Sequence, residues 1–158
     1  LSYKYKAWGE LSVFLMWGPL SVEAAYFIQT GYFSWEAFWV SIPFGVLVAL
    51  VLFANNLRDV QTDSKARVNN LAIILGRERG PLIYASMVLA ALIAVIVMSL
   101  VGPLGKYSLL VILSLPIAFK LLSVMIREVP KDADARTAQL NTAFGVLLVI
   151  SLVLESAL

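Results

Sequence analysis

Phe53-Ala54-Asn55-Asn56-Leu57-Arg58-Asp59-Val60-Gln61-Thr62-Asp63 follows directly on a long apolar run, where a membrane helix would leave the hydrocarbon. Asn55, Asp59 and Asp63 are spaced i, i+4, i+8. On a helix this stacks one carboxamide and two carboxylates on a single face, a turn apart. Like charges at i, i+4 repel even in water. Beside lipid the cost rises, and ionisable groups there face a cavity or pathway. A divalent cation reverses the penalty: magnesium is held by one or two carboxylates while substrate phosphates complete its shell. Two readings of the stretch stand side by side, a magnesium-diphosphate site at a membrane surface and a polar helix end solvated by water.

The surrounding chain settles the class. Of 158 residues, 61% are hydrophobic and 14% charged, against roughly 25% charged in a soluble domain. Apolar residues gather into five runs, predicting an all-α integral membrane helical bundle. The spans are expected at about 11–29, 36–54, 82–101, 107–126 and 140–157, with a cap over about 55–81, in a single membrane domain. Each approaches the ~20 residues needed to cross a ~30 Å hydrocarbon core. Gly18-Pro19 is expected to kink the first span, which also buries Glu23. Pro43 and Gly45 lie in the second and Pro116 in the fourth. In the cap, Leu71 to Leu75 reads as an amphipathic helix closed by Gly76, after which Arg77 to Pro81 turns the chain into span three.

The chain has no cysteine and no histidine. That excludes disulfides, thiolate or histidine metal sites and histidine-based triads from these residues. Chemistry falls to Asp, Glu, Lys, Arg, Asn, Tyr and bound ions. The net charge of +2 is small and its basic residues are scattered, which argues against nucleic-acid binding. Lys4, Lys6, Arg58, Lys65, Arg67, Arg77, Arg79, Arg127, Lys131 and Arg136 fall on one side of the five spans and Lys106 alone on the other. Positive charge accumulates on the cytoplasmic side, so the aspartate-rich stretch is expected to face the cytoplasm; the membrane itself is expected to be that of a prokaryotic cell. Leu1 to Glu10 carries two lysines and no apolar core, unlike a signal peptide. With Leu1 and not Met in first place, the chain is expected to be a fragment lacking its natural start.

Asn55-Asn56-Leu57-Arg58-Asp59 with Thr62-Asp63, followed by Leu71-Ala72 and Leu75-Gly76, closely resembles the second aspartate-rich motif of UbiA-type intramembrane prenyltransferases. Within that superfamily the chain looks most like the 1,4-dihydroxy-2-naphthoate polyprenyltransferases of menaquinone biosynthesis. Gly9-Glu10 with Phe14 and Gly18-Pro19, Gln29-Thr30-Gly31, Leu115-Pro116 and Phe144-Gly145 are similar to that branch. The resemblance covers essentially all 158 residues. It implies the C-terminal half of the family fold, the five spans being the last five of nine helices around a cavity. Nothing in the chain corresponds to the family's first aspartate-rich motif, so a missing N-terminal half is the implied partner. The family's usual basic pair before Leu71-Ala72 is replaced by Val68 and Asn69.

The resemblance further implies magnesium-dependent transfer of a polyprenyl group from its diphosphate to an aromatic acceptor. Asp59 and Asp63 would be the catalytic acids and, with Asn55, the magnesium ligands. Arg58, Lys65 and Arg67 would sit on the diphosphate side. Each has a plainer alternative: Arg58 as a snorkelling or helix-pairing arginine, Lys65 and Arg67 as topology charges. Glu10, Lys120 and Glu155 read as snorkelling groups near span ends. Trp8, Trp17, Trp35 and Trp39 read as interfacial anchors or packing. Other acceptors within the superfamily remain open (homogentisate, 4-hydroxybenzoate, haem, a lipid phosphate). Outside enzymology, a transporter piece would use the aspartates as a cation site, though such sites usually lie near the midplane. A membrane scaffold has no need of two acids and an amide on one helical face.

Overall fold

The computed structural model describes residues 8–66 and 70–157. Every regular element among the described residues is helical. Among the described residues five helices are long and apolar enough to cross a membrane. They are α1 (Gly9–Thr30), α2 (Trp35–Lys65), α3 (Leu71–Val101), α4 (Lys106–Arg127) and α5 (Ala133–Ala157). The protein is thus an all-α membrane bundle, as its composition predicts.

Helix α1 does carry an irregularity at Gly18-Pro19, in the form of a π-helical turn over Met16–Leu20. Proline has no N–H to donate, and a wide turn absorbs the extra residue. Ser21 Oγ donates to the Met16 carbonyl at 2.5 Å. The helix ends at Gly31, whose φ of 80° is the left-handed conformation of a helix C-cap. Ser34 then caps α2, its hydroxyl accepting from Ala37 N at 3.2 Å. Glu23 is half-buried: its Oε2 accepts from Ser34 N at 3.2 Å and so braces this turn, while its Oε1 is buried without a partner among the described residues.

Helix α2 is the axis of the bundle, packing against α1, α3 and α5. Against α1 it makes a backbone crossing: a Cβ on Gly18 or Gly45 would lie 2.9 Å from the other's Cα. Leu47, Leu50, Phe53 and Leu57 of α2 join Tyr84 and Val88 of α3 and Leu140 and Phe144 of α5 in one core cluster. Trp8, Trp17, Trp35 and Trp39 are all exposed, which suits lipid or its interface better than core packing.

Three expected boundaries differ. The second span does not end at residue 54, because its helix continues unbroken through Asn55 to Lys65. Leu71 starts a helix capped by Asn70, as the amphipathic pattern implies, and Gly76 breaks it with φ 71° and ψ 177°. Arg77 to Pro81, however, is already helical and forms the opening of the membrane-crossing part of α3. The positive φ of Gly76 does the turning, so the charged residues after it are free to wind. Finally, α5 begins at Ala133, well before residue 140. Its polar early residues disguise a buried stripe of Ala133, Thr137, Leu140, Phe144, Leu148 and Ser151, spaced three or four apart as one helix face requires. Helix α4 opens as a 3₁₀ stretch over Lys106–Ser114 and becomes α-helical at Leu115, with Pro116 in its first turn where a missing N–H costs nothing.

Candidate functional site

The start of α1, the last turns of α2 and the start of α5 meet at one end of the bundle. Asn56 Nδ2 donates to Glu10 Oε1 at 2.8 Å, joining α2 to α1. Glu10 is buried, contrary to its expected snorkelling role: this amide gives Oε1 a partner inside the protein, while Oε2 is buried without one among the described residues. Arg58 joins α2 to α5. Its Nη1 lies 2.9 Å from Asp134 Oδ1, and it donates to the Lys131 carbonyl at 3.4 Å.

The helical continuation of α2 gives Asn55, Asp59 and Asp63 their common face, and all three are partly exposed. Arg58 draws the first two together. Its Nε and Nη2 each donate to one oxygen of Asp59 at 2.9 Å, in a bidentate fork. Nη2 also donates to Asn55 Oδ1 at 2.5 Å. The guanidinium therefore lies against two of the three expected metal ligands and simultaneously pairs helices. Asp63 stands a turn further out, and Oδ2 of its carboxylate accepts from Asn70 Nδ2 at 3.0 Å. Asn70 Oδ1 accepts from Ile73 N at 2.9 Å, so one side chain both caps α3 and orients Asp63. Lys65 is exposed on the last turn of α2 and forms no ion pair with another described residue. Arg67, Val68 and Asn69 lie outside the described residues.

The donor set can be weighed against magnesium. Among the described residues no three acids, cysteines or histidines cluster as a ready-made metal cage. Two carboxylates and a carboxamide, all hard oxygen donors, instead fit the mode in which phosphate oxygens supply the remaining ligands. The sequence did not point to Glu10, Asn56, Asn70 or Asp134 as partners of this face. Asn70 alone carried a local sign, a capping residue just ahead of an apolar run. The others meet across distances in sequence that no spacing rule reports.

Deeper in the bundle an open cavity of about 590 Å³ lies between α1, α2 and α5. Its lining is almost wholly apolar, with Val40, Phe44, Val146 and Val149 among it. Asn141 also lines it, its Oδ1 buried without a partner among the described residues. At the opposite end of the bundle Glu155 Oε2 accepts from Tyr107 N at 3.3 Å, so this acid caps the start of α4. Lys120 is exposed, as a snorkelling lysine would be.

A helical membrane bundle with two acids and an amide on one helix end defines a class of membrane proteins with a polar, oxygen-rich site. The profile of the UbiA prenyltransferase family matches residues 1–151. This chain belongs to that family. It is 33% identical over 155 residues to the UbiA prenyltransferase domain-containing protein 1 homolog of Drosophila melanogaster, covering 96% of this chain and 42% of that protein. It is 31% identical over 159 residues to the 1,4-dihydroxy-2-naphthoate octaprenyltransferase of Bacillus subtilis (strain 168), covering 98% of this chain and 51% of that protein. Against the human UbiA prenyltransferase domain-containing protein 1 the identity is 30% over 158 residues, covering 99% and 46%. The chain spans about half the length of the curated relatives it matches. These relatives include a bacterium and animals alike, so kinship alone does not favour a prokaryotic membrane.

Proposed function

We propose that this chain forms part of an intramembrane prenyltransferase that moves a polyprenyl group from its diphosphate to an aromatic acceptor. The observation that carries this reading is the joining of Asn55 and Asp59 by one guanidinium at the end of an apolar bundle. Asn55, Asp59 and Asp63 would hold magnesium together with the diphosphate. When bound, the metal would neutralise negative charge developing on the leaving diphosphate. Arg58 and Lys65 add positive charge at the same end, where it assists departure of an anion. The apolar cavity offers room for a hydrocarbon chain, and its dryness would protect an allylic cation from water. The family's first aspartate-rich motif, supplied from outside these residues, would complete the site.

The acceptor we infer is 1,4-dihydroxy-2-naphthoate, in menaquinone formation. The motif likeness and the printed activity of the Bacillus subtilis relative support it. The basic bias of the Arg58 end supports a cytoplasmic orientation for the site. The test is prenyl transfer by the full-length protein in lipid nanodiscs, with a panel of aromatic acceptors and a magnesium titration. Naphthoate turnover that falls at least about 100-fold in Asp59→Asn and Asp63→Asn is expected, given the size of electrostatic catalytic effects. Turnover that persists in chelator, or that both variants retain, overturns the reading.

A further inference from the structure

We propose that Asp134, on the first turn of α5, is a positioning residue of the aspartate site and acts through Arg58. The inference rests on the reading that Asn55, Asp59 and Asp63 hold magnesium. Arg58 and Asp59 are neighbours in sequence, and neighbouring side chains leave a helix about 100° apart. Their bidentate contact therefore needs something to hold the guanidinium in place. Asp134 Oδ1, 2.9 Å from Nη1, is that anchor, assisted by the Lys131 carbonyl at 3.4 Å. The remaining nitrogens then reach both oxygens of Asp59 and Oδ1 of Asn55.

The anchor is itself fixed. Thr137, one turn beyond Asp134, is buried and hydrogen-bonded to Tyr84 of α3 at 2.8 Å. Thr137 Oγ1 also donates to the Ala133 carbonyl at 2.7 Å, and Ala133 is fully buried. The first turn of α5 is thus pinned to α3, and it carries Asp134 to a set place beside α2.

Charge gives the arrangement a second effect. One guanidinium lies between two carboxylates, so its charge is shared. If Asp134 is neutral, Arg58 turns its whole charge on Asp59, which then competes less well for a divalent cation. Loss of orientation and loss of available negative charge act in the same direction. Groups that orient metal ligands typically contribute about 10- to 100-fold in metal affinity.

The test uses the full-length protein in nanodiscs with two readouts. One is the magnesium concentration giving half the rise in melting temperature at fixed inorganic pyrophosphate; the other is the half-saturating magnesium for prenyl transfer. Asp134→Asn is expected to raise both by about tenfold or more, while Asp134→Glu stays within about twofold. In an Arg58→Gln background Asp134→Asn should add nothing. A lower melting temperature without metal, combined with an unchanged magnesium midpoint, would mean a merely structural role and overturn the proposal. So would a full additional effect in the Arg58→Gln background. If Asp134→Asn does not fold, Arg58→Lys carries the test: it keeps the charge but loses the fork, and an unchanged magnesium midpoint overturns the proposal. Asp59→Asn separates the two levels. Its silence would sink the magnesium reading itself, whereas its effect beside a silent Asp134→Asn sinks the positioning role alone.

Discussion

The buried contact between Tyr84 and Thr137 permits an asymmetric prediction. Thr137 has one hydroxyl hydrogen, and it is directed to the Ala133 carbonyl at 2.7 Å. Tyr84 must therefore be the donor in their 2.8 Å bond. Both side chains are essentially inaccessible, Tyr84 at 0% and Thr137 at 1%. In Tyr84→Phe, Thr137 keeps its bond to Ala133, and the loss should be about 0.5–1.5 kcal/mol, the net value of one hydrogen bond. Thr137→Val keeps the shape but strands the Tyr84 hydroxyl where water does not reach. That should cost about 1–3 kcal/mol, the price of an unsatisfied buried donor. The double variant removes both polar partners and should be more stable than Thr137→Val alone. Interhelical bonds in membranes average nearer ~0.6 kcal/mol, so the sign is a firmer test than the size. Reversible unfolding in mixed micelles, followed by circular dichroism, reads all four proteins. A double variant no more stable than Thr137→Val refutes the assignment of donor and acceptor.

Three further substitutions probe other joints. Gly45→Ala drives a methyl to 2.9 Å from Gly18 Cα and 3.1 Å from the Phe14 carbonyl; α1 and α2 must separate, at about 1–3 kcal/mol for overpacking, read in the same unfolding assay. Asn70→Ala removes the cap of α3 and the partner of Asp63 at once. Its stability loss should be about 1 kcal/mol, and amide exchange should quicken over residues 71–75 before the rest of α3. Gly105→Ala places a methyl where the Glu155 carboxylate now lies. The bond from Tyr107 N should be lost, with faster exchange at that amide and unchanged protection around Arg58.

The part of this architecture written in composition and spacing was legible. Five apolar runs gave five helices, and the i, i+4, i+8 spacing put Asn55, Asp59 and Asp63 on one face once α2 proved to be helical there. Legibility stopped where the deciding partner is remote. Nothing local distinguishes an Arg58 aimed at a ligand from one that folds back onto Asp59 and across to Asp134, because both are allowed by the same helical position. Glu10 read as a charge seeking water because its partner Asn56 lies on another helix. The beginning of α5 was missed for a different reason: Asp134, Arg136 and Gln139 interrupt the apolar run, while the buried face needs only every third or fourth residue.

Gly76 bears on how freely the neighbouring sequence can change length. In an unbroken α-helix each added residue rotates everything downstream by about 100°. A single insertion before Tyr84 would then swing Tyr84, Val88, Ala91 and Val95 out of the core. At φ 71° and ψ 177° the backbone at Gly76 uncouples the two cylinders, much as a clutch disengages a shaft. A residue added or lost between Leu71 and Gly76 can thus be absorbed at this break without turning the buried side of α3.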